Sequence, residues 1–183
     1  MTMHRTVVIA DLIQKNKYKT IVEVGVYQGI LAKYLLNECK LTKYYMVDPW
    51  VVYLEPEGTI GKIKSQEEWE RTFRKVLKVV KKHEEVVKIL RMTSKEASEK
   101  FKSLSIDLGF IDARHVFDHV VEDIRLWWPI VRIGGTLSGH DFKQKQVKEA
   151  VYFMFEKEDV QFVNTKCGGV WIVEKRVHVE MRK

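Results

Sequence analysis

The sequence predicts an α/β fold: a doubly wound, mostly parallel sheet of seven strands that ends in an antiparallel hairpin. Three observations predict it. Short apolar runs rich in β-branched residues alternate with segments of helical period along nearly the whole chain, the pattern of repeated strand-helix-strand units. Most of these runs are continuously apolar, as parallel strands covered on both faces require. The last two runs follow one another across a short glycine-bearing loop with no helix between them, so they read as a hairpin.

Taken in order, a helix over Thr6 to Lys15 precedes a strand over Thr20 to Val24, whose Ile21, Val22 and Val24 are apolar around a single acid, Glu23. Helices follow near Gly29 to Glu38, Gln66 to Lys82, Ser94 to Phe101, Phe117 to Trp128 and Gln144 to Glu156, each with apolar residues at three- and four-residue intervals. The strands between them are Tyr44 to Val47, Val86 to Arg91, Ile106 to Ile111 and Gly135 to Gly139. Val160 to Asn164 and Val170 to Glu174 form the hairpin around Gly168 and Gly169. Residues 50–65, with Pro56, Gly58 and Gly61, have no period and read as a lid or binding loop.

A chain of 183 residues suits one domain over its full length. Neither a membrane-spanning run nor the blocks of a signal peptide are visible, which points to a cytoplasmic protein with no membrane partner. Cys39 and Cys167 lack any disulfide or zinc spacing. The net charge of +7 matters through its placement. Arg71, Arg74, Lys75, Lys78, Lys81 and Lys82 form a stripe on the 66–82 helix, with Phe73, Val76, Leu77 and Val80 on another face. Such a stripe is either a solvated face or a dock for a polyanion such as nucleic acid.

Gly25 and Gly29 stand where the first strand gives way to a helix, the first allowing a tight turn and the second close packing of the helix. A dinucleotide-binding turn needs a middle glycine for the pyrophosphate, but Tyr27 occupies that place. Glu23 also disfavours phosphate. It suits a ligand with sulfonium and ammonium groups, both of which S-adenosylmethionine carries. Asp48 ends the second strand, where an acid can accept hydrogen bonds from both ribose hydroxyls.

With these residues in this order, the sequence resembles the class I S-adenosylmethionine-dependent methyltransferases over roughly residues 18–175, which have a Rossmann-like fold. The resemblance implies that Trp50, Thr93, Ser94 and Ala97 lie near the adenine, beside Glu23, Gly25, Tyr27, Gly29 and Asp48 as cofactor-binding residues.

A second constellation follows. Asp112 and His115 lie just beyond the fourth strand, and His140 and Asp141 just beyond the fifth. Ligands of open α/β sheets bind at the carboxyl ends of the strands, so all four should face the crevice of the glycine turn. This stretch resembles the metal-dependent branch of the family, which methylates hydroxyls of small molecules and sugars. By that resemblance Asp112, His140 and Asp141 take the places of metal ligands, and His115 that of a catalytic lysine. A histidine among the ligands is softer than magnesium prefers, which leaves manganese, or no metal, beside it. His115 titrates near neutrality and suits a general base, with Asp112 as its catalytic partner.

Two rival readings stand beside O-methyl transfer to a small molecule or sugar. One is an RNA 2′-O-methyltransferase, with Lys17, Asp112, Lys143 and Glu174 as a catalytic tetrad. The other is a non-catalytic cofactor-binding module that presents its basic helix to a partner. Little chain lies outside the sheet to build an acceptor pocket, so a homo-oligomer is expected as a way of completing it.

Overall fold

A computed structural model describes residues 3–52, 65–179 and 181–182. Its element order follows the apolar pattern. Helix α1 (Arg5–Asn16) leads into β1 (Thr20–Val24), α2 (Ile30–Glu38) and β2 (Lys43–Val47); α3 (Gln66–Val80) and β3 (Val87–Leu90) follow. Then come α4 (Ser94–Ser98), β4 (Ile106–Ile111), α5 (Phe117–Trp127), β5 (Val131–Gly139), α6 (Lys145–Met154), β6 (Gln161–Val163) and β7 (Val170–Glu174).

The sheet has the order β3-β2-β1-β4-β5-β7-β6. Strands β1 to β5 pair in parallel, whereas β7 runs antiparallel to both β5 and β6, as the terminal hairpin requires. The chain winds outward from β1 through β2 to β3, then returns to place β4 on the other side of β1. That reversal makes the gap between β1 and β4 the place where the helices diverge and a crevice opens.

Alternation along the buried strands sends side chains to opposite faces. Ile21, Tyr44, Met46, Leu108 and Phe110 pack with α1, α2 and α3, while Val22, Val24, Ile111 and Leu137 pack with α4, α5 and α6. The start of α3 is fixed by a capping box in which Ser65 accepts from the Glu68 amide and Glu68 accepts from that of Ser65. Its basic stripe, Arg71, Arg74, Lys75, Lys78, Lys81 and Lys82, faces solvent.

Helix α4 is shorter than its sequence pattern suggests. The Ser98 hydroxyl donates to the Lys95 carbonyl, and the next amides bond three residues back, from Lys100 to Ala97 and from Phe101 to Ser98. These bonds turn the chain out of the helix. Of the predicted lid, residues 53–64 lie outside the described residues. Among the described residues no helix is long and apolar enough to cross a membrane. Both cysteines are free thiols.

Candidate active site

Sheet hydrogen bonding continues one residue past the strand ends and thereby aligns the site. The Gly25 amide donates to the Val47 carbonyl at 2.9 Å, that of Asp112 to Val24 at 2.8 Å and that of His140 to Ile111 at 3.0 Å. The ends of β1, β4 and β5 therefore stand side by side. Gly25 has φ +86°, and a Cβ there would meet the Asp112 carbonyl oxygen at 2.2 Å. Only glycine lets the two loops touch.

Asp48 organises the same turn from the neighbouring strand. Its carboxylate accepts from the amides of Val26 (3.0 Å), Tyr27 (2.9 Å) and Trp50 (2.8 Å), so both oxygens hold backbone. Burial raises its pKa, against the lowering effect of those three bonds. Gly29 precedes α2 in the left-handed region at φ +71°, and its neighbour is Val76 of α3 rather than the sheet.

Over these strand ends lies a cavity of about 910 Å³. Glu23, Gly25, Tyr27, Asp48, Thr93 and Ser94 line it, as do Asp112, His115, His140 and Asp141. Three expected cofactor residues, Gly29, Trp50 and Ala97, do not. Trp50 is fully buried, its indole donating to the Tyr27 carbonyl and its ring packed on Phe73 at 4.8 Å. It supports the turn from beneath. Ala97 is buried in the core between α4 and the sheet.

Glu23 sits at the bottom of the cavity, where Tyr44 donates a short hydrogen bond to it. Burial pushes its carboxyl up to about 8; the Tyr44 hydrogen bond opposes the rise and the Asp112 charge adds to it. The carboxyl therefore carries a proton at neutral pH in the free protein, with consequences for stability. The folded state holds this proton up to about pH 8 while the unfolded chain releases it near 4.5, so stability falls as pH rises between those values. We predict that the stability of the wild type, followed by thermal melts, falls relative to that of Glu23→Gln from pH 5 to 8, by up to about 1.4 kcal/mol per pH unit. Parallel Tm curves would refute it.

The second constellation converges as expected, with one exchange of roles. His115 Nε2 lies 3.5 Å from Asp112 Oδ1 and 3.1 Å from Asp141 Oδ2. This nitrogen is buried, and among the described residues no hydrogen bond of good geometry satisfies it. His140, expected as a metal ligand, is instead a cross-link. Its Nε2 donates to the Cys167 carbonyl at 2.8 Å and its Nδ1 lies 3.0 Å from Asp141 Oδ2. Two acceptor oxygens require protons on both nitrogens, and the ring is an imidazolium.

The electrostatics agree. Burial would lower His140, but hydrogen bonds to Asp112 and Asp141 outweigh it and raise the ring to about 9. Burial would also lower His115, yet Asp112 and Asp141 raise it. For Asp112, burial is outweighed by His115, His140 and Arg5, which hold the carboxyl well below its ordinary range. Asp141 is lowered too, burial being overcome by His140 and His115. Among the described residues, the donor atoms that converge tightly enough to hold a cation are those of Asp112, His115 and Asp141.

The fold separates the residues of the RNA tetrad. Lys17 caps the carboxyl end of α1 before β1 begins, at the amino edge of the sheet. Glu174 pairs with Thr136, which pairs with Leu108, four residues and about 13 Å of strand before Asp112. Lys143 is exposed and does not line the cavity. The tetrad is not assembled, because its members stand at opposite ends of the strands.

The cavity also contains residues that sequence reasoning missed. Arg5 of α1 reaches within 3.4 Å of Asp112 Oδ2. Trp69 and Val51 add apolar wall, and His119, Glu122 and Asp123 extend the lining along α5. His119 and Asp123 of α5 had a signal: with His115 just before the helix they recur every fourth residue and so share one side. Arg5 had none, because nothing local tells that α1 crosses the crevice.

Comparison with known proteins agrees with this geometry. The family model described as a methyltransferase domain matches residues 22–142, from β1 through the His140-Asp141 pair. Solved structures share the architecture. The O-methyltransferase NovP is 18% identical, with 94% of this chain and 78% of that one covered and a TM-score of 0.65. A Staphylococcus aureus protein assigned as a caffeoyl-CoA O-methyltransferase is 15% identical over 96% and 82% of the two chains, with a TM-score of 0.67. A methyltransferase from Geobacter sulfurreducens is 10% identical over 93% and 77%, with a TM-score of 0.65. No curated protein matches the sequence. Sheet order, strand-end crevice and glycine turn define the Rossmann-like fold of the class I S-adenosylmethionine-dependent methyltransferases. The chain belongs to the methyltransferase-domain family.

Proposed function

We propose that this enzyme transfers the methyl group of S-adenosylmethionine to a hydroxyl of a small molecule or sugar. One observation carries the reading: a single cavity joins the glycine turn to a histidine flanked by two carboxylates. Glu23, Gly25 and Tyr27 bind the amino-acid end of the donor, and Asp48, Thr93 and Ser94 hold the turns around its nucleoside. His115 removes the proton of the acceptor hydroxyl. Its oxygen then bonds to the methyl carbon as the carbon-sulfur bond breaks, and the electron pair stays on sulfur. Asp112 and Asp141 orient His115 and stabilise the imidazolium that forms, while His140 holds Asp141 against the Cys167 loop. Positioning of the two reactants supplies much of the acceleration.

A second reading has its own observation, the unsatisfied His115 nitrogen between two carboxylates. Two oxygens and one imidazole fit a divalent cation such as manganese better than magnesium. Bound by Asp112, His115 and Asp141, it would lower the pKa of the acceptor hydroxyl, with His115 as ligand rather than base.

Calorimetric titration with S-adenosylhomocysteine, followed by a labelled-methyl screen over phenols, sugars and RNA, tests the proposal. Stoichiometric product binding and transfer to a phenol or sugar hydroxyl are expected. Cofactor binding with no acceptor in any class would favour the non-catalytic module, and selective labelling of RNA would overturn the small-acceptor assignment. Loss of the electron paramagnetic signal of free manganese on adding the protein would favour the cation reading.

A further inference from the structure

Helix α5 carries a buried acid that the transfer chemistry does not use. Asp123 lines the cavity, is 6% exposed, and lies six residues into the helix, about 9 Å along its axis from the end beside His115. Its neighbours are held in place. The Trp127 indole N–H donates to the Ser94 hydroxyl at 2.9 Å. The Ser94 oxygen is thereby occupied as acceptor, and its proton can turn toward the Asp123 carboxyl, whose charged form the hydroxyl favours. Ser94 itself lines the cavity just beyond β3, so the acid and the hydroxyl share one wall.

Among the described residues Asp123 has no cationic partner of the kind that Asp112 finds in Arg5 and His140. Burial pushes its carboxyl up to about 7; the Ser94 hydrogen bond opposes the rise and the Glu122 charge adds to it. A buried carboxyl of this kind costs stability unless a ligand completes its hydrogen bonds. One oxygen is oriented by Ser94, and the remaining lone pairs can accept from a donor inside the cavity. The wall in question is remote from the reacting end, and it is where the donor's purine lies if the methyl group sits beside His115.

We propose that Asp123, oriented by Ser94 and Trp127, accepts a hydrogen bond from the 6-amino group of the donor's adenine and so selects an adenine nucleoside. This inference rests on the methyltransferase reading. It assigns a specificity residue on α5, away from the strand-end loops that hold the rest of the donor. The ligand it implies is a 6-aminopurine. A site built to bond an amino group discriminates against the analogue that lacks it, because the buried partner is left unpaired.

The test is calorimetric, with S-adenosylhomocysteine and its analogue lacking the 6-amino group, on the intact protein. The wild type should bind the amino form roughly tenfold more tightly, the value of one buried hydrogen bond. Asp123→Leu should weaken S-adenosylhomocysteine about tenfold and leave the analogue unchanged, which abolishes the preference. Asp123→Asn keeps a carbonyl acceptor and should keep the preference, a result that does not depend on the leucine variant folding. Equal weakening of both ligands by Asp123→Leu, or loss of the preference in Asp123→Asn, would overturn the proposal. If the wild type binds neither ligand, the methyltransferase reading itself fails and the proposal falls with it. If it binds both equally, only the assignment of Asp123 fails.

Discussion

Gly25→Ala is expected to unfold the crevice or abolish binding of S-adenosylhomocysteine, with a stability loss of about 3 kcal/mol or more. The added Cβ would lie 2.2 Å from the Asp112 carbonyl oxygen and 2.6 Å from its carbon, distances no side chain can relieve by rotating. The two backbones cannot separate cheaply either. Asp112 donates to Val24, and Gly25 to Val47, so moving one loop breaks sheet hydrogen bonds at the centre of the fold. The left-handed φ of +86° adds its own cost for any L-residue. Gly29→Ala is the control. It shares a positive φ, but its new methyl would meet Val76 at an ordinary 3.5 Å, so the cost should stay near 1 kcal/mol and binding should survive. Thermal melts and calorimetry on both variants decide the matter. Similar losses from the two would mean that backbone conformation alone, and not the approach of Asp112, constrains the turn.

That contrast shows what could be read in advance. The strand-turn-helix character of 20–38 is written in local periodicity, and so is the order of the parallel strands and the hairpin. Convergence of Asp112, His115, His140 and Asp141 followed from the rule that parallel strands bring their carboxyl ends together. Whether a given side chain points into the crevice is decided by tertiary contacts. Trp50 was expected at the adenine, but a positive φ of 46° and the carbonyl of Tyr27 draw its ring beneath the turn. His140 was expected as a metal ligand, but a carbonyl of the hairpin loop 27 residues away takes one ring nitrogen. Gly168 allows that loop to come so close: a Cβ there would overlap Asp141 Oδ1 at 2.2 Å. Such partners cannot be found by spacing, because they belong to segments the fold brings together late in the chain. Asp48 stands between these cases. Its position at the end of β2 was legible, whereas its hold on three backbone amides was not.

His115→Ala should lower kcat by roughly 10²- to 10⁴-fold on the methyl acceptor while leaving the dissociation constant of S-adenosylhomocysteine within about threefold, as loss of a general base predicts. Asp112 is nearly buried and stands between His115, His140 and Arg5, so removing its carboxylate would expose an imidazolium and a guanidinium to each other. Breaking such a buried cluster usually costs several kcal/mol. Asp112→Ala is thus expected to lose both stability and turnover, which makes it a poor probe of mechanism alone. His115 is different: its side chain is about one-third exposed at the cavity, and its loss leaves Asp112 and Asp141 still paired with His140. A fall in kcat without a fall in Tm or in product affinity therefore isolates the chemistry. Manganese separates the two roles that the geometry permits. If His115 is the base, the alanine variant should bind the ion no differently from the wild type. If it is a ligand, metal affinity and turnover should fall together, and His115→Asp, which restores a donor, should recover the first before the second. Full turnover by His115→Ala would remove it from both roles and shift the proton transfer to another group lining the cavity.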